Sequence, residues 1–369
     1  MKIICQKDIL LKSVSSVINA IPWKSTLEIL GGILLQTNDN ELKLTTYDLE
    51  IGIESVMECT VVEHGNTVVM GTMLGEIIRK LPDSEISLTL TPNNMLKVEC
   101  EGVLYQLATM KAEEFPELPV VEVENTIELE QNLLKTMIKK TIFAASTEKN
   151  KPTFMGCLFE VANNKLNIVA VDGFRLAFKT VYLQNQDQEF KAIIPAKTLN
   201  EVIKIITESF DKIKIGLAKN QAIFEFDNCK IVTRTLDGEF LNYKSAIPAN
   251  WETRIKCSKN LLQEAFERIS LITLTDIIKD KKYPVKINID IGKITMTCFN
   301  QKGQGKEEIF VETEGKNLEI ALNPKYMLDC LKAIDEEEIY LELGSKLSPC
   351  LIKSVENNDF IYMVLPMRV

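Results

Sequence analysis

Three stretches open alike: DILLKSVSSVI at Asp8–Ile18, NLLKTMIKKTI at Asn132–Ile142 and NLLQEAFERIS at Asn260–Ser270. Each places apolar residues three and four apart, the spacing of an amphipathic helix. Their second leucines, Leu11, Leu134 and Leu262, are displaced by 123 and then 128 residues. A second helical phrase recurs as MLGEIIRKL from Met73, TLNEVIKII from Thr198 and MLDCLKAID from Met327, with Leu74, Leu199 and Leu328 displaced by 125 and 129. Two independent landmarks thus share one period, close to a third of the 369 residues and far longer than a solenoid unit. The chain reads as one structural unit written three times.

Between the helices, apolar and polar residues alternate around Asn, Asp or Gly turns, as in GILLQTNDNELKLTTYDLEIGIE and GCLFEVANNKLNIVAVDGFRLAF. That period of two predicts antiparallel hairpins. Gly32 matches Gly156 and Asp48 matches Asp172, each displaced by 124, so the strands keep the register of the helices. In the third copy VKINIDIGKITMTCFNQKGQGKEEIF fills the slot. Each copy is doubled inside: a short strand, a helix and three strands, then the same again. The predicted class is α+β, with two helices per copy segregated to one face of antiparallel sheets. Proline-interrupted segments at EFPELPVVEVEN and IPANWETR predict domains at 1–122, 123–250 and 251–369.

A chain of this length exceeds the roughly 250 to 300 residues at which a single core stops growing. With 46% hydrophobic and 26% charged residues it has the composition of a globular protein. The opening MKIICQKDILLKSV lacks the apolar core of a signal peptide, and no stretch approaches the roughly 18 apolar residues of a membrane span, so a cytoplasmic location is expected. The nine cysteines form no CxxC and mostly alternate with apolar residues, which predicts buried, reduced thiols.

A net charge of -9 argues against nucleic acid on average, but the distribution says otherwise. Six helices, at about 7–19, 73–80, 130–141, 196–205, 259–270 and 324–334, hold thirteen bases and seven acids. They net +6, leaving -15 for the remainder. On the first helix, Leu10, Val14 and Val17 make a packing stripe, and Lys12, Ser15, Ser16 and Asn19 a polar one. The helices together present a basic surface on an acidic body, which attracts a polyanion locally.

Catalytic material is sparse. His64 is the only histidine and sits in the turn-like EHGN, which leaves a Ser-His-Asp triad or a His-rich metal site without ligands. KGQGKEE has the wrong spacing for a phosphate loop and reads as a hairpin turn. Asp172-Gly173 is first a turn signal. No metal, cofactor or nucleotide site is expected.

Five segments then carry a resemblance: LEILGGILLQ at 27–36, EEFPELP at 113–119, VAVDGFRLA at 169–177, LDGEFLNY at 236–243 and the terminal YMVLPMRV. In this order, on a threefold repeat, they resemble the bacterial sliding-clamp family, the beta subunit of DNA polymerase III, over the whole chain. The resemblance implies a ring of two head-to-tail subunits, six similar domains, helices lining the hole and sheets outside. It puts one dimer contact at Tyr105 and Leu107 and the other at Leu271 and Ile272. It implies double-stranded DNA, encircled without sequence preference, touched by Lys24, Arg79, Lys80, Lys197 and Lys332. It also implies a replicative polymerase, repair proteins and an ATP-driven loader as partners. These would insert a short apolar peptide among Phe154, Gly173, Phe174, Arg175, Leu176, Leu241, Met363, Leu365, Pro366, Met367 and Arg368.

Ring closure suits this chemistry. Nonspecific charge attraction to duplex DNA gives a dissociation constant of only about 10⁻⁴ to 10⁻⁶ M, too weak to hold a polymerase in place. A topological link needs only a loosely attractive lining, which permits sliding. The chain departs from the family pattern at Pro152 and Thr153, where aromatic residues are common, at Phe174 in place of a common His, and at Ser245 with Ala246 in place of a bulkier pair. Two other classes remain open at this point: a cytosolic hydrolase using scattered carboxylates, and a monomeric interaction scaffold without a DNA role.

Overall fold

The computed structural model describes residues 1–123, 125–184, 189–218, 220–273, 283–301 and 303–368. Lys302 of KGQGKEE and the terminal Val369 lie outside them. The first copy runs β1 (Lys2–Gln6), α1 (Lys7–Val17), β2 (Gly32–Asn38), β3 (Glu41–Tyr47), β4 (Ile51–Glu58), β5 (Thr60–Glu63), β6 (Asn66–Met70), α2 (Gly71–Lys80), β7 (Glu85–Leu90), β8 (Met95–Cys100) and β9 (Val103–Met110). The second runs β10 (Asn125–Glu130), α3 (Gln131–Lys139), β11 (Gly156–Ala162), β12 (Lys165–Val171), β13 (Arg175–Tyr182), β14 (Phe190–Pro195), α4 (Ala196–Ile205), β15 (Lys212–Ala218), β16 (Gln221–Phe226) and β17 (Cys229–Arg234). After a helical turn α5 (Tyr243–Ala246), the third runs β18 (Thr253–Ser258), α6 (Lys259–Thr273), β19 (Val285–Asp290), β20 (Lys293–Asn300) and β21 (Gly303–Phe310). It continues with β22 (Glu312–Gly315), β23 (Leu318–Leu322), α7 (Pro324–Lys332), β24 (Glu338–Leu343), β25 (Cys350–Ser354) and β26 (Phe360–Val364).

The strand-helix-three-strand pattern therefore occurs twice per copy, and the strand pairings among the described residues are antiparallel. The short strands β5 and β22 are additions to the predicted pattern: each breaks from the preceding strand at one residue, Cys59 or Val311, and crosses to pair with β1 or β18. KGQGKEE is mostly strand, since Gly303 to Glu308 lie in β21 opposite Asn300 to Thr295 of β20. The nine cysteines are free thiols, seven buried and Cys59 and Cys229 half-buried.

The residues form two compact units, Met1–Lys135 with Lys197–Thr235, and Thr136–Ala196 with Leu236–Val369. The second copy is shared between them, because strand pairing joins each copy to the next. In the first unit a 13-stranded sheet is continuous through the β17–β4 pair, with Ile231 opposite Ile53. In the second, a nine-stranded sheet is continuous through β13–β26, with Ala177 opposite Tyr362.

Helices pack on the sheets through the stripes read from sequence. Leu10, Val14 and Val17 of α1 are fully buried against β3 and β4, while Lys12 and Ser15 are exposed. Gly75 allows α2 to lie close to α1, since a Cβ there would come within 2.5 Å of Ile18 Cδ1. In the second unit α6 lies on β20 and β21 and beside α7, with Leu262, Ala265, Phe266 and Ile269 buried. No described helix is long and apolar enough to cross a membrane.

The repeat extends to turn chemistry. Asp48 Oδ1 accepts from Glu50 N at 2.9 Å and Ile51 N at 2.7 Å. Asp172 Oδ1 accepts from Phe174 N at 2.8 Å and Arg175 N at 3.0 Å. The carboxylate thus caps the turn in both copies, as short polar side chains do. The residue after it takes a left-handed conformation, φ +95 at Gly173 and φ +76 at Leu49. Glycine adopts this freely and leucine at a cost of about 1 kcal/mol or more.

Candidate groove and basic surface

Strand alternation turns Leu158, Val169, Leu176 and Met363 of β11, β12, β13 and β26 to the same side of the nine-stranded sheet, Leu158 opposite Val169 and Leu176 opposite Met363 in adjacent rows. They form a buried apolar floor with Val171, Ile193 and Tyr243, and Phe154, Phe178, Leu236, Phe240 and Ile247 pack on it half-buried. Phe154 meets Phe240 edge-on with centroids 6.1 Å apart. Leu241 and Phe174 stand exposed at the margin.

The tail closes one side. Leu365 N donates to Phe174 O at 2.9 Å, which extends the β13–β26 ladder by one bond. Pro366 has no N–H and ends it. Met367 N then donates to Ala321 O of β23 at 2.8 Å, so the tail leaves one strand for another with Leu365, Pro366 and Met367 half-buried and Arg368 exposed. Phe174 stacks on Tyr326 of α7 at 6.3 Å, with the rings tilted by 20°.

Arg175 is 8% exposed and fastens this margin. Its Nε donates to Asp172 Oδ2 at 3.0 Å, Nη1 to Asp329 Oδ2 of α7 at 2.5 Å and Nη2 to Phe143 O at 2.7 Å. The guanidinium also lies 4.7 Å from the Tyr326 ring centroid. The eleven groove candidates thus separate into roles. Leu176, Met363 and Phe154 form floor and wall, Arg175 is a structural rivet, Gly173 permits the turn, and Phe174, Leu241, Leu365, Pro366, Met367 and Arg368 offer accessible surface. Asp329, Tyr326 and Phe143, which hold Arg175, were not singled out from sequence; only their partnership with an arginine 154 residues away in the case of Asp329 gives them a role.

Glu160 was also missed, although a lone acid in the apolar run GCLFEVA was its signal. Its side chain is 3% exposed. It accepts from Tyr243 Oη at 2.5 Å, Asn167 Nδ2 at 3.1 Å, Lys191 Nζ at 2.8 Å and Lys244 Nζ at 3.0 Å. Burial alone would push its pKa up; the four donors outweigh burial and bring it down to about 2. Because the folded value lies below the usual 4.5, the stabilisation is complete above pH 4.5 and is lost as pH falls from there toward 2. Between pH 5 and 2 the chain should therefore lose about 3 kcal/mol more stability than Glu160→Gln. Urea unfolding across that range measures this, and parallel curves for the two proteins would refute it.

The basic candidates are less uniform than their sequence suggested. Within the observed helix limits there are twelve bases and six acids, because Glu130 and Lys140 fall just outside. Lys140 is buried and paired with Asp335 at 2.8 Å. Arg79 pairs with Glu76 one turn earlier. Lys197 pairs with the nearly buried Asp48 at 2.5 Å and with Glu50 at 3.7 Å, and these contacts outweigh desolvation to raise its pKa. Lys24, Lys80 and Lys332 are exposed and have no carboxylate partner among the described residues.

The four dimer candidates also differ. Tyr105 is 44% and Leu271 63% exposed, and Ile272 is half-buried. Leu107 is 6% exposed: it faces inward, opposite Leu96, as part of the first copy's own core. It supports the strand rather than offering surface. Leu104, 52% exposed beside Tyr105, is the apolar residue that β9 presents instead.

Models of the N-terminal, central and C-terminal domains of the DNA polymerase III beta subunit match residues 1–119, 128–242 and 244–368 in turn. The beta sliding clamps of Staphylococcus epidermidis and Bacillus subtilis are each 29% identical over all of this chain and 99% and 100% of theirs. A solved chain from Eubacterium rectale, assigned as a DNA polymerase III beta subunit, is 33% identical with a TM-score of 0.95, each chain covering all of the other. With the repeat, the sheet topology and these likenesses in agreement along its full length, the chain belongs to the DNA polymerase III beta subunit family of sliding clamps.

Proposed function

We propose that two copies of this chain close head to tail around duplex DNA and tether a replicative polymerase and repair proteins, which dock apolar peptides in the groove. In this reading the chain works in the cytoplasm as a non-catalytic processivity factor, with clamp domains at 1–122, 123–250 and 251–369. An ATP-driven loader opens and places the ring.

One observation carries the closure. The last strand of the second copy, β17, pairs with β4 of the first, and the last strand of the third, β26, pairs with β13 of the second. By the same rule β9, the last strand of the first copy, would pair with β21 of a third copy. Among the described residues Val103 to Ala108 of β9 pair only with β8, and β21 is the outer strand of its sheet. Two complementary free edges at the two ends of a repeat need a second chain, and a head-to-tail contact that closes makes a ring. Leu104 and Tyr105 would flank one edge, and Leu271 and Ile272 of α6 the other.

The test is topological. The protein should remain on closed circular DNA after loading and leave when the circle is cut. Equal retention on both forms, or turnover of substrate without retention, overturns the reading. The lining is tested by salt titration on duplex DNA. Removing Lys24 and Lys80 together as alanines should lower the slope of log affinity against log salt by about two, and removing Lys24 with Lys197 by about one, because Asp48 already offsets Lys197. Equal slopes would mean that Lys197 leaves Asp48 to meet DNA.

A further inference from the structure

The apolar floor does not end at the row of Leu176 and Met363. One pleat farther along the same sheet face lie Phe178 of β13 and Ile361 of β26, and beyond them Thr180. Here a cavity of 490 Å³ opens, lined among others by Asn167, Phe178, Thr180, Tyr243, Lys244 and Lys165. Phe178, Ile247, Ile361 and Tyr243 belong to its wall and to the groove floor alike, so one surface continues into the other. We propose that this cavity is the far end of the peptide groove and receives an acidic side chain of the docked peptide; the proposal rests on the groove reading above.

Charge decides the occupant. No carboxylate lines the cavity among the described residues, and the nearest one behind its wall, Glu160, which accepts from the lining residues Asn167 and Tyr243, is already shared by the amines of Lys191 and Lys244. Two cations against one anion leave a positive excess. Lys165 adds a third amine at the rim, resting 4.6 Å from the Tyr182 ring centroid without a carboxylate partner among the described residues. Asp359, beside the rim residue Asn358, is held by Lys179 at 2.5 Å and does not offset it. Thr180 contributes a hydroxyl that is buried and without a hydrogen-bond partner, a donor that an incoming oxygen would satisfy. A carboxylate therefore meets two amines and a hydroxyl, whereas a basic side chain would meet like charge.

Spacing fixes where the acid stands. From Val169 in the floor to Lys165 at the rim is four residues of β12, roughly 13 Å at about 3.3 Å per residue, the span of four residues in an extended peptide. The test uses the full chain and three fluorescent peptides sharing one apolar pair: one with neutral flanks, and two with Glu four residues before or after the pair. One acidic peptide should bind about threefold to tenfold tighter than the neutral one. That advantage should shrink with salt and vanish in Lys165→Gln and Lys165→Glu, while both variants bind the neutral peptide like the parent. Equal affinity for all three peptides overturns the cavity proposal and leaves the groove reading standing, as does an advantage that survives Lys165→Glu. Failure of every peptide to bind overturns both.

Discussion

Arg175→Ala is expected to lower the stability of its unit by about 3–5 kcal/mol, more than any other single substitution considered for the groove. The guanidinium is almost wholly buried and joins three groups that are distant in sequence: Asp172 in its own turn, Asp329 on α7 and the carbonyl of Phe143. Truncation removes these hydrogen bonds and leaves two carboxylates facing each other, of which Asp172 is the more enclosed. The cost arises mainly from stranded charge rather than from the bonds themselves. Arg175→Lys should recover only part of it, since a single ammonium cannot match the planar fork that reaches Asp172, Asp329 and Phe143 together. Urea unfolding gives the measurement, and removing Asp329 as well should show a coupling above 1 kcal/mol. A loss below about 1 kcal/mol for Arg175→Ala would mean that water replaces the guanidinium, contrary to its burial.

Deleting Met367 to Val369 is expected to weaken apolar-peptide binding by a hundredfold or more while leaving the dimer intact. Hot-spot contacts in apolar grooves typically contribute 2 kcal/mol or more each, and losing two such contacts produces an effect of about that size. Pro366 stops the β26 ladder, and the bond from Met367 N to Ala321 O then holds the tail across to β23. Without that bond Leu365 and Pro366 lose their anchor to β23, and the margin beside Phe174 loses the tail. The free edges of β9 and β21 are untouched by the deletion. Fluorescence titration of a peptide should therefore show lost affinity at an unchanged molar mass in solution. Retained affinity would place the peptide elsewhere, and loss of the dimer would show that the tail serves assembly instead.

Much of the architecture was legible because it depends on local rules. The helix starts Lys7, Gln131 and Lys259 are 124 and 128 residues apart, one residue from the 123 and 128 read from Leu11, Leu134 and Leu262; the counterpart of the buried Leu134 and Leu262 is Leu10. The turns at Asp48 and Asp172 were legible because an aspartate cap needs only neighbours two and three residues on. Leu107 shows where such reading stops. VLYQLATM carries apolar residues in both phases of the alternation, so the period alone does not say whether Tyr105 or Leu104 joins Leu107 inside. Burial in the fold settles it: Leu107, opposite Leu96, is inside, whereas Tyr105 is exposed although it shares that face opposite Val98, and Leu104 is exposed on the other face.

The charge census was limited in the same way. A count along the helices is a local sum, whereas the charge a ligand meets depends on partners such as Asp48, 149 residues from Lys197, or Asp335, against buried Lys140. The amino-acid sequence by itself determined the threefold repeat, the α+β class, the turn chemistry and, by resemblance, the family. These rest on periodicity and on short-range hydrogen bonding. The tertiary structure alone decided which lysines keep an unpaired charge, which of the candidate groove residues are accessible and which are buried, and that a cavity lined by Lys165 and Lys244 adjoins the apolar floor. Those properties depend on burial and on ion pairs between residues far apart in the chain, and only the fold brings them together.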